Sequence, residues 1–316
     1  MKKREFIRKI SLITASAGVI PALSAKNLNY FSGVESPQNE SFGHSGDTRK
    51  EVQEGTIVKL KDKFFGCIAG CHIGSAMGEA LAELGAKIVI LDVSQDACYS
   101  ESDRIQRLFN VETLSLAIDL SDEKAVRSAP DRVLKRFSSL DILINCAALV
   151  NASNMKGWTT TFNEQRSDVW RLALEVNLTA PFILTQIFAE ALAESGHGSV
   201  INVASIYGMV GPDMRLYEGT NLGNAAAYGA SKGGLLQLTR WLATVMAPRV
   251  RVNAITPGGL WRDQPEAFVN RYVERVPLKR MGIEEDFKGA AAYLSSDLSA
   301  YVTGQNIVVD GGWITW

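Results

Sequence analysis

The chain has 316 residues, enough for one large α/β domain and too few for two large ones. Hydrophobic residues make up 46% of it and charged residues 21%, so it can fill a real hydrophobic core. The formal net charge of −1 excludes a strongly basic nucleic-acid-binding protein and gives no electrostatic attraction to an anionic membrane. No later apolar run predicts stable insertion into a membrane.

The first 25 residues differ in composition from the rest of the chain. A basic cluster over residues 2–9 precedes a mildly apolar stretch over residues 10–25, which ends in small residues. This order is typical of a secretory signal. Residues 3–7, Lys-Arg-Glu-Phe-Ile, also resemble a twin-arginine export signal with Lys in place of the first Arg. We therefore predict an export signal over residues 1–25 and a periplasmic protein, with a cytoplasmic location as the alternative.

Residues 26–54 are rich in Ser, Asn, Gly, Gln and Glu, with few apolar residues. Such a segment cannot bury enough apolar surface to offset its ordering entropy, so we predict a disordered linker. The folded domain is expected to span residues 55–316. The spacing of Cys67 and Cys71 matches neither a redox nor a zinc motif, and the sequence predicts no disulfide and no metal site.

From residue 64 onward, short apolar runs alternate with longer amphipathic stretches. Runs rich in Val, Ile and Leu that alternate with helices are typical of a parallel sheet covered on both faces. Right-handed crossovers then predict one doubly wound α/β domain, with ligands at the carboxyl ends of the strands. The predicted strands are Phe64–Ala69, Lys87–Asp92, Leu114–Ile118, Asp141–Asn145, Ser199–Val203, Arg251–Ile255 and Asn306–Val309. The predicted helices are Ala76–Leu84, Asp122–Phe137, Trp170–Phe188, Ala227–Ala247 and Phe287–Leu294.

The first strand-to-helix turn is rich in glycine and small residues, with Gly70 and Gly74 four positions apart. Such a turn lets backbone N–H groups and a helix N-terminus approach a pyrophosphate. Asp92 ends the next apolar run, where a carboxylate can accept hydrogen bonds from the adenosine ribose. Because a carboxylate repels a 2′-phosphate, the sequence predicts NAD as the preferred cofactor rather than NADP.

Tyr228 and Lys232 are four residues apart in a predicted helix, so both side chains can point into one cleft. A nearby ammonium stabilises a phenolate and is expected to lower the tyrosine pKa, which makes Tyr228 a general acid or base. Ser205 ends a predicted strand upstream, and its hydroxyl can bind the same substrate oxygen. Tyr207 and Tyr217 are rival phenols, but neither has a Lys four residues later.

These motifs, with Asn177 inside an amphipathic helix, resemble the classical short-chain dehydrogenase/reductase family from about residue 60 to 316. The resemblance implies a Rossmann-type domain in which Tyr228 transfers the proton and Lys232 lowers its pKa and binds the nicotinamide ribose. It implies that Ser205 orients the substrate oxygen and that Asn177 supports a proton-relay water. It also implies a homo-oligomer, either a dimer or a tetramer.

The resemblance extends to the cofactor contacts. Asn145-Cys-Ala-Ala is similar to the family's Asn-Asn-Ala-Gly, Asp119-Leu120 resembles an adenine-contacting position, and Pro257-Gly258 lies where the family contacts the nicotinamide. The family's glycine pattern, Thr-Gly-x-x-x-Gly-x-Gly, is incomplete here in either of two possible registers. The implied cofactor contacts are Gly70, Ile73, Gly74, Asp92, Asp119, Leu120, Asn145, Tyr228, Lys232, Pro257 and Gly258.

Residues 207–220 form a longer segment than the family norm and resemble a bacterial subgroup associated with sugar and surface-polysaccharide metabolism. Side chains expected to bind a polyhydroxylated ligand are Asp213, Arg215, Tyr217 and Glu218, and Trp261 and Arg262 fall where the family's substrate lid lies. We therefore expect an NAD(P)-dependent oxidoreductase acting on a small sugar or polyol. The alternatives are a nucleotide-sugar epimerase or dehydratase, and a cofactor-binding protein without turnover.

Overall fold

The computed structural model describes residues 73–150 and 155–316, together with the backbone of residues 64–68. The described part therefore runs from the first strand of the sheet to Trp316, with gaps at residues 69–72 and 151–154. The predicted export signal, the predicted linker, the start of the domain at residue 55 and Gly70 lie outside the described residues.

In these ranges seven strands form one sheet in the order β3-β2-β1-β4-β5-β6-β7, and every neighbouring pair is parallel. The strands are β1 Phe64–Ile68, β2 Lys87–Asp92, β3 Thr113–Ala117, β4 Ile142–Asn145, β5 Gly198–Val203, β6 Val250–Pro257 and β7 Asn306–Val309. The order reverses between β1 and β4, which is the crevice where doubly wound sheets bind their ligands. The predicted doubly wound parallel sheet is confirmed.

Helices cover both faces of the sheet. They are α1 Ile73–Glu83, α2 Gln95–Phe109, α3 Glu123–Arg127, α4 Ala129–Phe137, α5 Ser167–Leu174, α6 Ala180–Glu194, α7 Ala226–Met246, α8 Glu266–Arg275 and α9 Lys288–Ser295. Apolar residues of α1, α2 and α9 form the core on one face. Apolar residues of α3, α4, α6 and α7 form the core on the other face.

The helix predicted over Asp122–Phe137 is divided in the structure into α3 and α4. Pro130 lies in the first turn of α4, where a residue without an N–H costs no intrahelical hydrogen bond. The proline therefore starts a second helix rather than continuing the first.

The predicted helix Trp170–Phe188 corresponds to α5, a π-helical segment over Glu175–Thr179, and α6. Pro181 has no N–H to donate to the carbonyl of Asn177 four residues earlier, which accounts for the wider turn at this point. Within the described ranges, the stretch Ser167–Glu194 is also long and apolar enough to cross a membrane by length and composition alone. Its residues Leu184 and Phe188 are buried against the sheet, as in a core helix.

Candidate active site

The carboxyl ends of the parallel strands bring most of the predicted cofactor residues to one edge of the sheet. Strands end there at Asp92, Asn145 and Pro257, with Gly258 next in the chain. Ile73 and Gly74 are the first two residues of α1, and Asp119 and Leu120 follow β3.

Asp92 has one carboxylate oxygen available for a ligand. Its Oδ1 accepts a hydrogen bond from the backbone N–H of Ser94 at 3.0 Å, which holds the side chain at the end of β2. Its Oδ2 has no hydrogen bond to any part of the chain that the structure describes. A ribose hydroxyl can therefore donate to Asp92, whereas a phosphate there would meet like charge.

Asn145 carries a buried oxygen that needs a donor. Its side chain is 3% exposed, and Nδ2 donates to Oδ1 of Asn202 at 2.8 Å. Its own Oδ1 has no partner among the described residues. Because a buried acceptor without a donor costs free energy, this position at the cofactor edge fits a bound group that supplies an N–H or O–H.

The two residues after β3 differ in what they can offer. Asp119 is exposed, and its Oδ1 accepts from the backbone N–H of Ser121 at 2.8 Å and from its hydroxyl at 2.7 Å. Leu120 is 8% exposed and its side chain belongs to the hydrophobic core. Leu120 is therefore left with its backbone for any contact to an adenine.

A cleft of about 480 Å³ opens at this edge of the sheet, within the range of small-molecule sites. It is lined by Ser205, Tyr228 and Lys232, three of the four predicted catalytic residues, and by the predicted cofactor residues Ile73, Pro257 and Gly258. The side chains of Ser205, Tyr228 and Lys232 therefore line the same cleft.

Tyr228 lies in the first turn of α7 and hydrogen-bonds the hydroxyl of Ser205. Burial raises the pKa of Tyr228, while the Ser205 hydrogen bond opposes this rise. The sequence-based expectation of a lowered pKa is therefore wrong for the protein alone. The reason is burial, which outweighs the stabilisation of the phenolate by the nearby ammonium; Lys232 Nζ lies 6.0 Å from the Tyr228 ring centroid.

Lys232 is 2% exposed, and its Nζ donates to the backbone carbonyl of Val203 at 2.7 Å. Burial lowers the pKa of Lys232 to about 8, with the neighbouring Cys146 acting in the opposite direction. A protonated ammonium has three N–H donors, so two remain for a ligand beside the carbonyl bond. Lys232 is thus a buried cation that can lose its proton just above neutral pH.

Asn177 is fully buried in the π-helical segment, and its side chain faces the protein rather than the cleft. Its Oδ1 accepts from the backbone N–H of Leu149 at 2.7 Å. Its Nδ2 donates to the Leu149 carbonyl at 3.2 Å and to the Ser231 hydroxyl at 3.1 Å. The amide thereby ties the loop after β4 to α7.

Four side chains were predicted to bind substrate from the segment after Ser205, and Tyr217 alone of these lines the cleft. The carboxylate of Asp213 instead accepts from the Arg215 guanidinium at 2.8 and 2.9 Å and from Arg275 of α8. Arg215 and Glu218 are exposed. Of the two predicted lid residues, Arg262 lines the cleft and Trp261 is 51% exposed.

Several residues of the substrate side were not predicted from the sequence. The cleft is also lined by Tyr207, Asn224, Gln264, Phe268, Tyr272 and Met281. Tyr207 stands two residues after Ser205, a position that signals proximity to the reacting group. The others come from distant segments, and no local spacing marks them.

Comparison with known proteins decides the family. A family model described as enoyl-(acyl carrier protein) reductase, of the adh_short_C2 group, matches residues 68–314. The chain belongs to the short-chain dehydrogenase/reductase family. Members of this family are NAD(P)-dependent oxidoreductases that act on CH–OH groups, and this chain is an enzyme of that class.

Three similar proteins illustrate how the named substrates vary within the family. "Probable galactose dehydrogenase GalD" of Rhizobium meliloti is 30% identical over 250 residues, covering 77% of this chain and 91% of the relative. A 3-oxoacyl-[acyl-carrier-protein] reductase of Aquifex aeolicus is 29% identical, covering 76% of this chain and 92% of the relative. The structure of an NAD+-bound xylitol dehydrogenase aligns with a TM-score of 0.69 and 28% identity, covering 80% of this chain and all of the other.

Proposed function

We propose that this short-chain dehydrogenase oxidises a secondary hydroxyl of a neutral sugar or polyol and uses NAD+ rather than NADP+. The observation that carries the proposal is the meeting of Ser205, Tyr228 and Lys232 in one cleft at the carboxyl edge of the sheet. Asp92 Oδ2 and Asn145 Oδ1 lie at the same edge without a donor among the described residues, which supports cofactor binding there.

The residues can carry the proton chemistry. Bound NAD+ supplies the acceptor for the hydride that leaves the substrate carbon. For oxidation Tyr228 must first be a phenolate. Its Oη then takes the proton of the substrate hydroxyl, and the Ser205 hydroxyl donates to the same oxygen and fixes its position. Lys232, when protonated, stabilises the phenolate of Tyr228 electrostatically. In the reverse direction Tyr228 returns the proton to the carbonyl oxygen.

The charges of the cleft favour a neutral substrate. Of the described residues that line it, only Lys232 and Arg262 are charged. Arg262 is already paired with Glu284 at 2.6 Å, and Lys232 is assigned to Tyr228 and the cofactor, so neither cation is assigned to a carboxylate or phosphate of the substrate. The relatives named for galactose and xylitol act on compounds of this neutral kind.

An activity screen tests the proposal. Binding of NADH is measured first by fluorescence, followed by oxidation of monosaccharides and polyols with NAD+. We expect NADH binding and turnover of at least one polyhydroxylated compound. Turnover of a 3-oxoacyl thioester with no sugar or polyol oxidised would show that the substrate class is wrong. NADH binding without any turnover would favour the alternative of a cofactor-binding protein.

Asp92 is expected to set the cofactor preference. The wild type should have a higher kcat/KM with NAD+ than with NADP+, because the carboxylate repels the 2′-phosphate. Asp92→Ala should narrow that difference by about tenfold, the size of a hydrogen bond to a charged group combined with like-charge repulsion. Asp131→Ala, which removes an exposed carboxylate of α4, is the matched control. Equal kcat/KM for both cofactors in the wild type would contradict the proposed preference.

We also propose export of the folded enzyme with its cofactor bound, directed by residues 1–25. Soluble nicotinamide cofactor should be scarce outside the cytoplasm, so an enzyme exported unfolded would arrive with nothing to bind. A twin-arginine-like signal supports export in the folded state. Fractionation of native cells, with mass spectrometry of the mature N-terminus, tests this. An intact N-terminus found in the cytoplasmic fraction alone would contradict export.

A further inference from the structure

Two phenols and an amide form a polar wall in the cleft, on the substrate side of Tyr228. Tyr207 and Tyr217 both line the cleft, and their hydroxyl oxygens lie 2.8 Å apart in a hydrogen bond. Asn224 also lines the cleft, and its Nδ2 lies 3.5 Å from the Tyr217 hydroxyl. We call Tyr207, Tyr217 and Asn224 the phenol wall. Nothing in the proton chemistry of Ser205 and Tyr228 requires it.

The phenol wall has hydrogen-bonding capacity left over. Two phenols carry two O–H groups, and their mutual hydrogen bond uses one of them. The other O–H has no acceptor among the described residues, and phenol lone pairs also remain free. In the cleft, this leaves one donor and at least one acceptor for a ligand hydroxyl, which itself both donates and accepts. A purely apolar ligand would leave these groups buried and unpaired, at a cost in free energy.

The wall is held rigidly, as a specificity element must be. The Tyr217 ring packs against Phe268 of α8, with ring centroids 5.5 Å apart and planes tilted by 44°. Arg271 of α8 donates to the backbone carbonyls of Leu216 at 3.3 Å and Glu218 at 2.5 Å, on either side of Tyr217. The position of the phenol is therefore set before a ligand binds, which reduces the entropy lost on binding.

Tyr207 is also uncharged over the working range of the enzyme. Burial and the neighbouring phenol of Tyr217 raise the pKa of Tyr207 above its ordinary value, so Tyr207 keeps its proton. Tyr207 therefore offers the ligand a neutral hydrogen bond rather than an ion pair.

We propose that Tyr207 and Tyr217, assisted by Asn224, bind a second hydroxyl of the substrate and thereby select compounds with at least one hydroxyl besides the one oxidised. The inference rests on the proposed function, since it assumes an alcohol that reacts at Tyr228. It assigns substrate selection to residues outside the proton-transfer group.

The test compares substrates that differ by one hydroxyl. With NAD+, kcat and KM are measured for galactose, its monodeoxy analogues, xylitol and cyclohexanol, in the wild type, Tyr207→Phe and Tyr217→Phe. A binding hydroxyl contributes equally to ground state and transition state, so KM for the polyhydroxylated substrate should rise about tenfold in each variant with little change in kcat. The preference for that substrate over cyclohexanol, as a ratio of kcat/KM, should fall by the same factor. For one monodeoxy analogue, the one that lacks the hydroxyl bound by the phenol wall, neither substitution should change KM.

A control variant and two further outcomes show whether a failure concerns the phenol wall or the proposed function. Tyr301→Phe removes a phenol hydroxyl from a fully exposed position outside the cleft and should change none of these values. Oxidation of galactose or xylitol with an unchanged preference in both cleft variants would overturn the role of the phenol wall and leave the proposed function standing. Oxidation of cyclohexanol or reduction of a 3-oxoacyl thioester, with neither polyhydroxylated compound turned over, would overturn both.

Discussion

Tyr228→Phe is expected to lower kcat by about 10²- to 10⁴-fold, the contribution typical of a positioned general acid or base. The substitution removes the atom that receives the proton and keeps the ring, which packs against the apolar cluster of Trp158, Val169, Ala173, Ala225 and Ala227. Because the hydroxyl is needed in the transition state, kcat should fall together with kcat/KM. NADH binding should stay near the wild-type value. Steady-state kinetics and a fluorescence titration on the same preparation measure both quantities.

The control for this variant is its folding. Thermal unfolding should give a Tm close to that of the wild type, because the lost hydroxyl faces the cleft and its partner Ser205 can bind water there. Tyr217→Phe provides a second comparison, since it removes a phenol oxygen from the same cleft without removing the proton acceptor. A Tyr228→Phe enzyme that kept more than about a tenth of the wild-type kcat would show that another group transfers the proton.

The meeting of Ser205, Tyr228 and Lys232 in one cleft could be predicted because short-range spacing encodes it. Tyr228 and Lys232 are one helical turn apart, and Ser205 lies two residues after a buried strand, so local spacing predicts all three at the carboxyl edge. The same holds for Asp92 and Asn145. The location of Asn177 inside a helix could be predicted, but its hydrogen bonds could not. The partners of its amide, Leu149 and Ser231, come from other elements.

The substrate side depends on contacts between segments far apart in the chain. Asp213 appeared able to bind a sugar, but Arg275, 62 residues later, occupies its carboxylate. Phe268 reaches the cleft from α8, a helix that the hydrophobic pattern did not reveal because Phe268 and Tyr272 are its only buried residues. Spacing within one segment carries no information about such pairings, so Tyr217 could be predicted from the sequence while the residues that it faces could not.

The fold was predicted more completely than the helix boundaries. Alternating apolar runs determine the parallel sheet, since the central strands β4, β5 and β6 are buried on both faces. The helix α2 was missed because Cys98 and Ile105 are the only apolar residues among the three that it buries, which leaves too few apolar positions to mark a helix. Its start is marked instead by Ser94, whose hydroxyl accepts from the backbone N–H of Ala97 at 3.2 Å as an N-cap.

Lys232→Ala is expected to reduce both catalysis and cofactor affinity. The ammonium would stabilise the phenolate of Tyr228 and donate to the bound cofactor, so its loss should lower kcat by at least about 10²-fold. It should also weaken NADH binding by about ten- to a hundredfold, the effect of a lost hydrogen bond to a charged group. Lys135→Ala, an exposed lysine of α4, is the matched control and should change neither value.

The pH dependence of NADH affinity shows whether Lys232 acts through its charge or only through packing. Burial lowers the pKa of Lys232 to about 8, so the ammonium is charged below that pH and neutral above it. Burial raises the pKa of Tyr228, so Tyr228 keeps its proton through the same range and can still act as the acid in carbonyl reduction. NADH affinity and kcat/KM for reduction should therefore be constant below about pH 7 and decline above about pH 8.

Lys232→Arg keeps its charge to a far higher pH, so the affinity that it retains should show no decline above pH 8. A wild-type NADH affinity that is constant from pH 6 to pH 10 would show that the charge of Lys232 does not hold the cofactor.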